Sequence, residues 1–217
     1  MDAASAALAA QLNSSAMQAS AAAAQAGRAE ALLAAFATRR AIESGKPLGY
    51  LEGQLRLRFG TALPDVVNSL IAFARQPVTQ DRLVTQFEVL APHLVGPDEQ
   101  SSWSKIKRDL SGLFVLHSSS GANTASPKMR LGHARLCLRE GKIEAAIADV
   151  RLLPGAKGAA QWIADATRYA EAMHALDALD TSALLEPKLL KDGAGRPIEQ
   201  ASPIAQQAAA AAASSAP

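Results

Sequence analysis

The stretch Met129–Leu179, MRLGHARLCLREGKIEAAIADVRLLPGAKGAAQWIADATRYAEAMHALDAL, decides the fold of this chain. It divides into three helical runs separated by two short breaks. Arg130 to Glu140 places Leu131, Ala134 and Leu138 on one face and stops at Gly141, a residue that accepts the left-handed backbone ending a helix. The next run sets Ile143, Ala146, Ile147 and Val150 at spacings of three and four, then breaks at Leu153-Pro154-Gly155. From about Ala159 the third run carries Trp162, Ala166, Tyr169, Met173 and Leu176 at alternating steps of four and three. That alternation is the seam of a helix buried along a narrow stripe against other helices. Short links make sequential helices antiparallel neighbours, so a helical hairpin plus a third packed helix is expected. Leu131, Leu138, Ile147, Trp162, Tyr169, Met173 and Leu176 are the residues expected to form the bundle seam or a protein-docking face.

Composition points the same way. Of 217 residues, 49% are hydrophobic but only 4% aromatic, and much of the apolar content is alanine. Alanine favours helix while burying little area, which suggests helices around thin cores. Runs rich in Val, Ile, Thr and aromatics at period two are missing, so the expected class is all-α, an array of short antiparallel helices. The 22 basic and 20 acidic residues give a net charge of +2, without the basic footprint of a nucleic-acid binder. A helix-turn-helix around Pro64–Leu90 fails for the same reason: it holds only Arg75 and Arg82. The lone cysteine, Cys137, excludes an intramolecular disulfide.

Outward from the core, residues 1–26 form an Ala/Ser/Gln lead, expected to fray or to form a weak helix without packing. Residues 27–116 form a helical region. Ala31, Leu32, Ala35, Phe36 and Ile42 have helical spacing up to Ser44-Gly45; two heptads describe a surface helix or the remnant of a coiled coil. Pro47 is placed in the first turn of a helix through Tyr50, Leu51, Leu55 and Phe59 to Gly60. Pro64-Asp65 opens another, and Thr79 caps a further helix with Asp81 in its first turn, closed by Pro92 and Gly96-Pro97. Residues 117–128 read as a linker, 129–180 as the core, and 181–217 as a disordered tail broken by Pro187, Gly193, Gly195, Pro197 and Pro203.

The segment SSWSKIKRDLSGLFVL, residues 101–116, has a different character. Trp103, Ile106, Leu110, Leu113 and Phe114 share a helical face, flanked by Lys105, Lys107 and Arg108. An aromatic start, an apolar stripe and a basic flank describe a helix that lies in a bilayer interface, and equally a helix packed on the domain. At an anionic surface each cation contributes about 1 kcal/mol, which assists apolar insertion without replacing it.

The small and apolar run ending in Leu138-Arg139-Glu140-Gly141, then Ala145-Ala146-Ile147, Leu153-Pro154 and Trp162-Ile163-Ala164-Asp165-Ala166, resembles the C-terminal mitofilin domain in its alphaproteobacterial form. The resemblance covers about fifty residues, Met129–Leu179, and more loosely Ile42–Leu116. It implies a scaffold of inner-membrane architecture that docks protein partners and self-associates as a homo-oligomer. A lipid-binding helix precedes the domain, and residues 101–116 occupy the matching place. Family members carry an N-terminal transmembrane helix and a long coiled coil. Here no stretch of about eighteen apolar residues spans a bilayer, and Met-Asp-Ala-Ala-Ser lacks the basic start of a secretory signal. The resemblance implies the periplasmic face of the inner membrane; a chain complete without an anchor is expected in the cytoplasm. The alternative reading is a soluble tetratricopeptide-like adaptor: the Leu131–Leu153 hairpin fits, but copies at a period of about 34 residues do not follow.

Chemistry is sparsely signalled. His133 and Cys137 sit four apart on one helical face, as a two-ligand metal pair would, but zinc needs three or four protein ligands and no further Cys or clustered His completes the set. Ser102-x-x-Lys105 and Ser104-x-x-Lys107 match a serine–lysine spacing without its accompanying motifs. No phosphate-cradling loop or dinucleotide fingerprint occurs. The expectation is a non-enzymatic protein with no catalytic residue, no cofactor and no metal.

Overall fold

The structure is a computed structural model and describes residues 2–96 and 126–198. The chain is all-α: among the described residues it has no strand, and 78% of it is helical. The helices are α1 (Asp2–Glu43), α2 (Leu51–Phe59), α3 (Pro64–Arg75), α4 (Gln80–Leu94), α5 (Pro127–Arg139), α6 (Ile143–Arg151) and α7 (Ala160–Leu185), with short 3-10 turns at Ala156–Ala159 and Pro187–Leu189. Two of them are not short: α1 has 42 residues and α7 has 26.

The helices separate into two compact units. One holds the described residues up to Pro77 and those from Ala172 onward; the other is Val78–Glu171. The boundary therefore falls inside α7 and divides the stretch 129–180, which the sequence reads as one core. The spacing of an apolar seam shows that a helix is buried but not which neighbours bury each part of it.

In Val78–Glu171 the local signals operate as read. The Thr79 hydroxyl accepts a hydrogen bond from the Arg82 amide at 3.3 Å and starts α4. Ser126 caps α5 in the same way, accepting from the Met129 amide at 3.3 Å, with Pro127 in the first turn. Gly141 takes φ +74°, and the amides of Gly141 and Lys142 bond back to Leu138 and Cys137 at 3.3 and 2.8 Å. This left-handed cap turns the chain directly into α6 and makes α5–α6 the expected hairpin. At the second break Gly155 is needed for close approach: a Cβ there would lie 2.1 Å from the His93 carbonyl oxygen, and its amide donates to the Leu94 carbonyl at 3.1 Å. α4 ends at Leu94, within the Pro92 to Gly96-Pro97 stretch read as its close, with Pro92 itself in the last turn. A proline removes only its own amide donor, and near the last turn little helix remains to be disrupted.

The unit made of the described residues up to Pro77 and from Ala172 onward is organised by α1. Ala31, Ala34, Ala35, Thr38 and Ile42 are its buried face. Thr38, fully buried, satisfies its hydroxyl by donating to the Ala34 carbonyl at 2.7 Å. Phe36, expected on that face, is exposed, while Leu32 is half-buried. The lead 2–26 is not separate from the helix that follows: Asp2–Glu43 is continuous. Once the packed half nucleates a helix, alanine extends it at little cost. Pro47 lies outside α2, which begins at Leu51, because Gly49 at φ +55° turns the chain between them.

The tail is also corrected over its described part. Residues 181–198 are ordered: α7 continues to Leu185, and Ala183, Leu190 and Ile198 are buried. The Lys191 amide donates to the Arg58 carbonyl at 3.2 Å, and Asp192 to Arg196 forms a turn whose Asp192 carboxylate accepts from the Ala194 and Arg196 amides at 2.9 Å. The prolines and glycines that break periodicity here shape a packed non-helical segment. Arg39 ties α1 to α7 through Asp177 and Asp180 at 2.6 and 2.7 Å, and Arg58 is buried against Glu30 at 2.8 Å and Gln54 at 3.0 Å.

Candidate functional site

Three surfaces carry the residues with functional potential, and each follows from how its helices are placed. The first is the packed seam of Val78–Glu171. Trp162 is buried, its indole N–H donates to the Leu83 carbonyl at 2.9 Å, and its ring meets Phe87 at a centroid distance of 5.6 Å. Leu138, Ile147 and Tyr169 are buried in the same unit and Leu131 is half-buried. Leu176 is buried and Met173 half-buried in the other unit. Most seam residues are thus used internally. Beside Trp162 a groove of about 310 Å³ is lined by Thr85, Gln86, Val89, Leu90, Gly158 and Gln161. Val89 is 70% exposed there, so this edge offers apolar area that the seam residues no longer do.

An ion pair stiffens the same unit. Arg135 on α5 forks onto Glu88 of α4 with hydrogen bonds of 2.6 and 2.7 Å. These bonds hold the Glu88 carboxyl below its ordinary value and raise the Arg135 guanidinium. Nearby, the Gln80 side-chain amide donates to the Leu138 carbonyl at 2.8 Å.

The second surface lies on the α5–α6 hairpin. His133 Nδ1 is 2.5 Å from Asp149 Oδ2, and Cys137 Sγ is 3.8 and 3.7 Å from the two ring nitrogens of His133. Arg130 approaches the other Asp149 oxygen at 3.8 Å. Cys137 is buried and Asp149 largely so, whereas the His133 side chain is 61% exposed. Burial pushes the Cys137 thiol up, and the Asp149 charge adds to the effect. A raised thiol is the opposite of the thiolate that a cysteine nucleophile requires, although the residue types match a Cys–His–Asp relay. The sequence reading found the His133–Cys137 pair but missed Asp149. A signal for it existed. His133 lies eight residues before Gly141 and Asp149 eight after (141 − 133 = 149 − 141), and an antiparallel hairpin turning at Gly141 places such residues opposite each other.

The third surface is the outer face of α1. Leu8, Leu12, Ser15, Ala19, Ala22, Ala26, Ala29, Leu33 and Phe36 follow steps of four and three without interruption, and all are exposed. From Ala24 onward the opposite face of α1 is buried in its unit, whereas from Gln11 to Ala23 every side chain is exposed, so the stripe is a second apolar pattern on the same helix. The reading of two heptads missed it because it began near Ala31 and joined Phe36 of the outer face to residues of the inner one.

The expected membrane-binding residues Trp103, Lys105, Ile106, Lys107, Arg108, Leu110, Leu113 and Phe114, and the two serine–lysine spacings, lie outside the described residues. Among the described residues no helix is long and apolar enough to cross a membrane. Comparison of the chain with protein-family models, with curated proteins and with solved structures returns no match.

Proposed function

We propose that this chain is a non-enzymatic scaffold similar to mitofilin, which self-associates through α1, docks protein partners on its helical unit, and meets an anionic inner-membrane surface through residues 101–116. The observation that supports it best is the outer seam of α1. From Leu8 to Phe36 the stripe spans 28 residues, or four heptads, and all of its positions are exposed. A heptad stripe is buried when a second helix lies along it, and small residues in its middle let two such helices approach closely. A second copy supplies a stripe of the same pattern. The alanine content makes the association modest and concentration-dependent, as suits a scaffold assembled on a surface where local concentration is high.

Sedimentation velocity over a concentration series tests the first part. The parent chain is expected to shift from monomer toward a larger species, and Leu33→Glu with Phe36→Glu to remain monomeric with unchanged helix content. Parent and variant sedimenting alike at every concentration would remove the support. The second part is read from co-sedimentation with anionic liposomes. A Trp103→Ala, Lys105→Glu, Lys107→Glu, Arg108→Glu variant is expected to lose binding. Equal binding by parent and variant would overturn the membrane role and favour a tetratricopeptide-like adaptor.

A further inference from the structure

We infer that His133, Cys137 and Asp149 form a site for a single zinc-class divalent cation on the α5–α6 hairpin, independent of the scaffold reading. The three side chains supply one imidazole nitrogen, one sulfur and one carboxylate oxygen, with the donor atoms within 4.8 Å of one another. Mixed N, S and O donors in threes are the coordination of open zinc sites, in which the fourth position is left to water or a ligand.

The geometry is close to what such an ion requires. Bond lengths of about 2.0–2.3 Å at tetrahedral angles place a nitrogen and a sulfur ligand about 3.6 Å apart, and a nitrogen and an oxygen ligand about 3.3 Å apart. The 3.8 Å from Cys137 Sγ to His133 Nδ1, the nitrogen beside Asp149, is close to this; the near-equal 3.7 Å to Nε2 sets the sulfur over the ring, so the imidazole has to turn its Nδ1 lone pair toward the shared point. The His133–Asp149 separation of 2.5 Å has to open by less than about 1 Å, a movement open to a ring at the surface. A cation bound here replaces the hydrogen bond between His133 and Asp149, and the thiol proton is released as the metal binds. His133 and Cys137 stand four apart on one helix and Asp149 comes from its hairpin partner, so the backbone fixes all three before any cation arrives. Arg130 stands 3.8 Å from the other Asp149 oxygen, on the side away from Oδ2 and the two other donors. The exposed side of His133 is the way in.

Cobalt(II) titration of the reduced, untagged full chain tests the site, because Cys137 is the only cysteine and any sulfur-to-cobalt charge-transfer absorption has one source. The parent is expected to develop that near-ultraviolet absorption and tetrahedral visible bands, saturating at one equivalent and bleached by zinc(II). In His133→Ala, whose site is exposed enough to leave the fold intact by circular dichroism, cobalt affinity is expected to fall at least about tenfold, and likewise in Asp149→Asn. Absence of the sulfur-to-cobalt absorption in the parent would overturn the site. So would a titration unchanged by His133→Ala or by Asp149→Asn, which would reduce the binding to a lone thiolate.

Discussion

Trp162 is the residue on which Val78–Glu171 depends most. Trp162 is 2% exposed, packs on Phe87, and gives its indole N–H to the Leu83 carbonyl inside α4, so its one polar atom is buried with a partner. Trp162→Ala removes the ring and leaves a cavity, and is expected to cost about 3–5 kcal/mol. Trp162→Phe keeps most of the volume and removes the indole hydrogen bond, for about 0.5–1.5 kcal/mol. Urea unfolding followed by circular dichroism measures both, and a Trp162→Phe variant as stable as the parent would mean the hydrogen bond contributes nothing. The burial of Trp162 was legible from its place in the seam. The identity of its acceptor was not, since Leu83 lies on a helix 79 residues away in sequence.

Between elements, the Arg135–Glu88 fork joins α5 to α4, and its contribution follows pH with a definite sign. The Glu88 carboxyl lies below its ordinary value of 4.5 in the fold because the Arg135 hydrogen bonds favour its charged form. Its stabilisation is therefore complete above that ordinary value and is lost as pH falls through the depressed one. Both side chains are more than a third exposed, so the effect belongs to the range of screened pairs, about 0.2–1 kcal/mol. Glu88→Gln is expected to melt below the parent at neutral pH and to converge with it in acid; a constant difference across the range would show that the charge plays no part. Helix boundaries were read with fair success at this scale. Gly141, Thr79 and Pro64 act within a few residues of themselves, and that is why they are legible. Pro92 stays inside α4, which ends two residues later, within the stretch read as its close.

At the scale of the molecule, the chain closes the unit around α1 with residues from its far end. Leu190 and Ile198 are buried there, and Lys191 is bonded to the Arg58 carbonyl. Truncation after Leu185 is expected to lower the stability of that unit by several kcal/mol, since two buried aliphatic side chains are lost at about 1.5–3 kcal/mol each. Hydrogen exchange resolves the effect: protection should fall across Ala31–Ile42 and change little around Trp162. Uniform loss over both units would instead mean that they unfold as one.

The sequence by itself determined the all-α class, the α5–α6 hairpin, the caps and the Trp162 stripe. Each depends on propensity, capping and periodicity over a few consecutive residues. The tertiary structure alone decided that α7 is divided between two units, that residues up to 198 fold back as core, that α1 keeps an unburied heptad face, and that Asp149 meets His133 and Cys137. These depend on which elements pack together, a free-energy balance among surfaces far apart along the chain, and no local pattern records it.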